Sequence, residues 1–211
     1  MTQFLRSIFR PIWLGVGVIA LALAGCVVPE TGAPIPVQTQ ARIADGKIVI
    51  AAPRGFCVDP KTLRDAPGAS FVLFGHCPAM ARDPAQPRPS APVLLSVTLG
   101  PEDNLSDSAR IKTIAAFFET DIGRATLARS GRTEDVDLIE ARPGQGRLLL
   151  KIRDRSAPAS VAEAQVFWRM ITVIEGRIAS LSVMPLAENQ VSDARQRELL
   201  VEFISQIRAA N

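Results

Sequence analysis

The chain has 211 residues and a formal charge of +3 at pH 7, with 47% hydrophobic and 21% charged residues. Those numbers fit one globular core and exclude a low-hydrophobicity disordered chain. A single histidine, three cysteines and no tyrosine exclude a classical zinc cluster and leave little material for aromatic stacking platforms.

The chain opens with Arg6 and Arg10, then turns apolar from Ile12 to Ala24 and closes on Leu23-Ala24-Gly25-Cys26. A basic start, an apolar stretch and a small-residue cleavage site mark a secretory signal. An uncleaved membrane helix is the alternative, because the apolar run continues through Val27 and Val28. A span needs about 20 apolar residues, and this run with its three glycines barely reaches that length. Gly15 and Gly17 are no nucleotide loop, since no strand precedes them and no βαβ unit follows.

Leu23-Ala24-Gly25-Cys26 resembles the lipobox of bacterial lipoprotein precursors. The resemblance implies that residues 1–25 are removed and that Cys26 carries lipid as the first mature residue. More than one acyl chain on Cys26 makes anchoring stable. It also implies the periplasmic side of a Gram-negative envelope. Val27, where the inner-membrane retention pattern has Asp, leans toward the outer membrane. Loss of Arg6 and Arg10 lowers the formal charge to +1, so no nucleic-acid partner is expected, and no basic stripe is visible.

Val27 to Arg42 contains Pro29, Pro34 and Pro36 and lacks an apolar period, which predicts an extended tether over 26–42 followed by one domain over 43–211. Lys47–Ala52, Gly55–Val58 and Ser70–Gly75 read as short strands. Cys57 and Cys77, in a compartment that oxidises thiols, are expected to form a disulfide. A redox pair or metal site is the alternative, with no Cys-x-x-Cys and only His76 to support it. The proline-rich segment 78–92 is expected to be either a disordered loop or a functional one. Val93–Leu99 is nearly all apolar, as a strand buried on both faces would be.

A helix follows, capped by Ser106 or Asp107, with Ile111, Ile114, Ala115, Phe118 and Ile122 on one stripe. Gly123 is expected to interrupt it and Gly131 to end it. Two hairpins come next. In the first, Glu134–Ala141 and Arg147–Arg153 flank a loop over Arg142–Gly146. Alternation puts Val136 and Leu138 on one face with Leu148, Leu150 and Ile152. The expected register opposes Val136 to Ile152, Leu138 to Leu150, Asp137 to Lys151 and Asp135 to Arg153. The second runs from Gln165 to Ile174, turns at Glu175-Gly176 and returns from Arg177 to Leu186, with Trp168, Met170, Leu181 and Val183 inside. From about Asp193 a final helix buries Leu199, Leu200, Phe203, Ile204 and Ile207 and wets Arg195, Glu198, Glu202 and Gln206.

Strands grouped into hairpins with segregated helices predict an α+β fold, one antiparallel sheet covered by helices and stapled by one disulfide. The order of elements from Trp168 through Gly176, Leu181–Val183 and Leu199–Asn211 is similar to the second half of Mog1/PsbP-type domains. That resemblance implies an α/β/α sandwich and a non-catalytic accessory role. The cystine and the insertion 78–92 depart from it.

No residue pattern points to catalysis. One histidine, beside a cystine, cannot serve a Ser-His-Asp site without a nucleophile elbow. Phosphate-loop and metal motifs are absent, and no cofactor is expected. Asp135 and Asp137 form a pair that a glycosidase could use, but Lys151 and Arg153 opposite make cross-strand ion pairs the expectation. Three readings follow. The first is a non-enzymatic, lipid-anchored envelope protein that binds a partner protein or assists an envelope complex. The second is a small-ligand or lipid-binding lipoprotein with a pocket between sheet and helix. The third is a hydrolase with an unrecognised site. Oligomeric state is left open.

Overall fold

The computed structural model describes residues 33–102, 107–144, 146–156, 165–186 and 189–211. Cys26 and the signal segment lie outside them, as does the side-chain cap at Ser106 or Asp107. The elements are β1 (Gln40–Ile43), β2 (Ile48–Ala51), β3 (Phe56–Val58), β4 (Arg64–Ala66), β5 (Ala69–His76), α1 (Cys77–Ala81), β6 (Val93–Glu102), α2 (Asp107–Phe118), α3 (Asp121–Ala125), β7 (Val136–Gly144), β8 (Arg147–Asp154), β9 (Gln165–Ile174), β10 (Arg177–Pro185) and α4 (Asp193–Ala210).

β1 and β2 form a small hairpin sheet. The other strands make one eight-stranded sheet in the order β3-β5-β6-β10-β9-β8-β7, with β4 beside β5, and every pairing is antiparallel. This is the expected α+β antiparallel sheet with helices and one disulfide.

Alternation gives the large sheet two distinct faces. On the first, Val72, Phe74, Val93, Leu95, Val97, Leu99, Trp168, Met170, Leu181 and Val183 are buried beneath α4 and the β1–β2 hairpin. The four expected inner residues of the second hairpin are all there. Ser192 caps α4 by accepting from the Arg195 N–H at 3.3 Å. Leu199, Leu200, Phe203, Ile204 and Ile207 are all buried, and each such side chain is worth roughly 1.5–3 kcal/mol. Gln196 is the buried polar member. Its carbonyl accepts from Trp168 N at 3.1 Å and its amide donates to Val191 O at 2.9 Å. Asn211 ties the far end of α4 to β2, accepting from Val49 N and donating to Val49 O.

On the second face, Val136, Leu148, Leu150, Ile152, Phe167 and Ile171 pack with Ile111, Phe118 and Leu127 under α2 and the segment after it. Thr120 breaks the helix ahead of Gly123, capping α3 by accepting from the Gly123 N–H at 3.0 Å. The break turns Ile122 out of the stripe expected for it, and it is 75% exposed.

Several expectations need correction. Gln40–Arg42, expected in the tether, belong to β1. Their turn at Ala44, Asp45 and Gly46 lies at positive φ, and Asp45-Gly46 is a sequence signal for it. Even earlier residues join the domain: Ile35 N donates to Ala81 O and Gln38 O accepts from Val58 N, both at 2.8 Å. Segment 78–92 is folded along much of its length. It begins in α1, and its Arg88–Pro89 peptide lies on Gly55, where an added Cβ would meet Arg88 C at 2.4 Å. β6 is fully buried on one face, whereas on the other Ser96 is buried, Leu94 half-buried and Thr98 exposed.

The first hairpin keeps its apolar face but not its register. Asp137 opposes Arg153, Leu138 opposes Ile152, and after a bulge at Ile139 Glu140 opposes Lys151 and Gly144 opposes Arg147. Gly146 at φ 65 lets the chain turn within the two residues between Gly144 and Arg147, so the loop is tighter than Arg142–Gly146. The bulge absorbs the odd residue and leaves Val136 and Leu138 facing inward. Bulge, Pro143 and the charges of Glu140 and Arg142 also blunt β7 as a free sheet edge.

Candidate binding face

Among the described residues, helical cover on the second face stops part-way across the sheet. α2 crosses β7, β8 and β9, and among the described elements no helix spans β5, β6 and β10 on that side. The register shows what lies in the open part. Leu73 opposes Ser96, Ser96 opposes Ser182, Ser182 opposes Arg169, and Arg169 opposes Leu150. One line of side chains therefore runs from the uncovered strands to the covered ones. The neighbouring line is Phe71, Thr98, Ser180, Ile171 and Leu148, and on the other side Leu94 opposes Met184. Phe71, Leu73, Leu94, Ser180 and Met184 are half-buried. At the outer end, Met80 of α1 lies over Gly75 of β5. The part with no described helix over it is thus about three strands wide, on the order of 10–15 Å, although Ser96 and Ser182 within it are buried and Met184 packs against the second-face core.

Arg169 stands at the boundary between covered and open halves. Its Nε donates to Ser182 Oγ at 3.0 Å, and its guanidinium sits 5.4 Å from the Phe167 ring centre. Burial pushes its pKa down to about 10, against the attraction of Asp154, which raises it. The side chain nonetheless keeps a solvent-accessible edge. Arg169 is thus deeply placed with a narrow accessible edge, and the group is still a cation at neutral pH. Guanidinium offers five N–H donors. Among the described residues Ser182 takes one of them, and no carboxylate pairs with Arg169. Hydroxyls from Ser96, 7% exposed, and Ser182, 2% exposed, stand in its line. A carboxylate with an apolar body is the chemistry this arrangement suits: bidentate capture by the planar fork, with Leu73, Leu94, Phe71 and Met184 under the rest.

The sites expected from sequence fall elsewhere. Cys57 and Cys77 do form a disulfide, with Cα atoms 4.9 Å apart. It ties β3 to the start of α1. His76 sits edge-on to Phe56, and its Nε2 lies 3.0 Å from Val93 O. That ring is held as part of the sheet margin, away from Arg169's line.

Asp135 and Asp137 do not act as a strand pair. Asp135 lies in a 3-10 turn, where the Ser130 hydroxyl and then Arg132 hold its carboxyl below the usual range. Asp137 is bound by Arg155 and lies 3.6 Å from Arg153. Lys151, expected opposite Asp137, instead meets Asp193 of α4 at 2.5 Å and holds that carboxyl low. Trp168 is buried with Arg197 and Arg142 over its ring, at 4.8 and 5.9 Å. Among the described residues no group of His, Cys, Asp and Glu is arranged to hold a metal ion.

Sequence reasoning missed Arg169. The signal was a lone charge inside the apolar run Val166–Ile174, which alternation placed on the second face without showing that the cover ends there. No known family model matches the chain, and no curated protein matches it in sequence.

Proposed function

We propose that this chain is a lipid-anchored cell-envelope protein, non-enzymatic, that holds a partner protein on the uncovered half of its sheet. The observation that carries the reading is Arg169, a cation that among the described residues has unused donors, at the edge of a half-apolar floor. No described helix lies over that floor, which is several strands wide and so suits a segment of a macromolecule. The partner's contribution is an apolar segment bearing an acidic side chain or a terminal carboxylate. The lipobox at Cys26 supports the anchor, and Val27 supports the outer membrane. The order of elements supports grouping the domain with Mog1/PsbP-type accessory modules.

The test is cross-linking of the lipidated protein in its native membrane, comparing wild type with Arg169→Met. A partner captured by wild type and lost with Arg169→Met supports the proposal. Capture that is indifferent to Arg169 removes it. Anchoring is tested separately: Cys26→Ser should lose labelling by a palmitate analogue, and labelling equal to wild type sinks the lipoprotein reading.

A second reading, a small-ligand or lipid-binding lipoprotein, is favoured by the same guanidinium, because a fatty carboxylate offers the required anion and apolar body. Native mass spectrometry of protein taken from its membrane distinguishes the two: a bound small acid, lost with Arg169→Met, selects the second.

A further inference from the structure

We infer that the hollow lined by Arg54, Pro87, Arg88, Ser90, Arg195 and Glu202 is a contact site for the phosphate groups of anionic membrane lipids. It has a volume of about 430 Å³. Arg54 and Arg88 are exposed and, among the described residues, neither makes an ion pair or a side-chain hydrogen bond. Arg195, half-buried, is shared with Glu198 at 3.1 Å. Ser90 adds a hydroxyl. With Arg195 already paired to Glu198, Arg54 and Arg88 against the lining carboxylate of Glu202 still leave the hollow cationic, and guanidinium matches phosphate oxygens bidentately.

The hollow is built rigidly. Arg54 sits next to Gly55, whose missing Cβ admits the Arg88–Pro89 backbone, and the Cys57–Cys77 bridge fixes β3 to the base of the same segment. Two arginines distant in sequence are thereby held together.

The occupant is argued from the tether. This part rests on the lipid-anchored reading. Residues 27–32 separate Cys26 from Ala33, and at full extension that length spans no more than about 25 Å. The chain then meets the domain at α1, where Ile35 N donates to Ala81 O at 2.8 Å. Segment 78–92, which carries Arg88, therefore begins where the tether joins the domain. Acyl chains with a nearby basic patch make a two-signal membrane attachment. The patch would set the domain's orientation on the bilayer.

The test uses the full chain in nanodiscs of phosphatidylcholine alone or mixed with phosphatidylglycerol, read by hydrogen exchange at residues 53–56 and 82–91. Exchange should slow roughly fivefold in the anionic discs, and the protection should fade at high salt. Arg54→Glu with Arg88→Glu, both at exposed positions, should abolish it. Equal exchange in the two discs overturns the inference. Inorganic phosphate added to the chain in neutral detergent is the second arm. Protection by phosphate there, with none in anionic discs, assigns the hollow to a free anion and overturns the membrane role. The mass of the N-terminal peptide reports acylation of Cys26 independently. Anionic protection with Cys26 unmodified sustains the hollow while removing the anchor.

Discussion

Arg169 on β9 and Ser182 on β10 stand directly opposite each other, and the arginine Nε donates to the serine hydroxyl across the two strands at 3.0 Å. The pair holds one edge of the guanidinium, and among the described residues no carboxylate pairs with the rest. A cation in this place costs folding free energy, because burial disfavours the charged form. Arg169→Met, which keeps the stem's bulk, should therefore match or exceed wild-type stability in urea titrations. Ser182→Ala, which strips the acceptor but leaves the charge, should cost about 1–2 kcal/mol. The sign with pH follows from the depressed pKa of about 10. The folded state releases this proton before the unfolded state does, so any advantage of Arg169→Met should shrink as pH rises above about 10. A large loss in Arg169→Met with none in Ser182→Ala would mean that the arginine is structural.

The bridge between Cys57 and Cys77 closes a loop with a sequence separation of 20. Removing it with the double substitution Cys57→Ala, Cys77→Ala should cost about 3 kcal/mol in the loop-entropy picture. Urea midpoints with and without reductant should differ for wild type and coincide for the double variant. Coincident midpoints in wild type would contradict the prediction.

Gly55 lies at φ +91, and a Cβ there would meet the Arg88 carbonyl carbon and the Pro89 nitrogen, both at 2.4 Å. Both contacts are with backbone, so no side-chain rotation relieves them. Gly55→Ala should lower stability by more than about 1 kcal/mol. It should also raise protease cutting and amide exchange within residues 82–91. A silent substitution would show that segment 78–92 is not seated on β3.

Asp154 is 5% exposed on the apolar face opposite Val136. Burial raises its pKa, but the Ser156 hydroxyl, the Ser156 N–H and the Arg129 N–H outweigh it, and the net shift is downward from 3.8. The unfolded state thus binds the proton first as pH falls. The contribution is complete well above pH 3.8 and is lost as pH falls through the lower folded value. Asp154→Asn should cost about 1–3 kcal/mol at pH 7, with a smaller gap from wild type in acid. Chemical denaturation at several pH values tests this, and a gap that widens in acid would refute it.

The local periods of this chain were sufficient for much of the fold. The 3.6-residue spacing of Leu199, Leu200, Phe203, Ile204 and Ile207 identified α4 and its buried side. Period-two alternation, with Glu175-Gly176 between the strands, identified the second hairpin and its inner residues. Such signals are local because helix and strand geometry repeats within a few residues. The pairing of Cys57 with Cys77 was legible because the only other cysteine, Cys26, falls in the lipobox-like segment and no Cys-x-x-Cys or histidine cluster offers another use.

Tertiary structure decided what depends on neighbours distant in sequence. The register of β7 on β8 depended on Gly146's left-handed backbone and the Ile139 bulge, which pair counting across a longer loop did not contain. β1 is short, and it becomes a strand by pairing with β2 under α4. Arg54 and Arg88 meet because one glycine lacks a side chain. Arg169's sequence placed it on the second face of the sheet. Where α2 stops covering that face determined whether the arginine is sealed in a core or left at its open edge. That limit is set by the packing of α2 on β7, β8 and β9 and of α3 on β7, a non-local balance of buried area that no periodicity around residue 169 encodes.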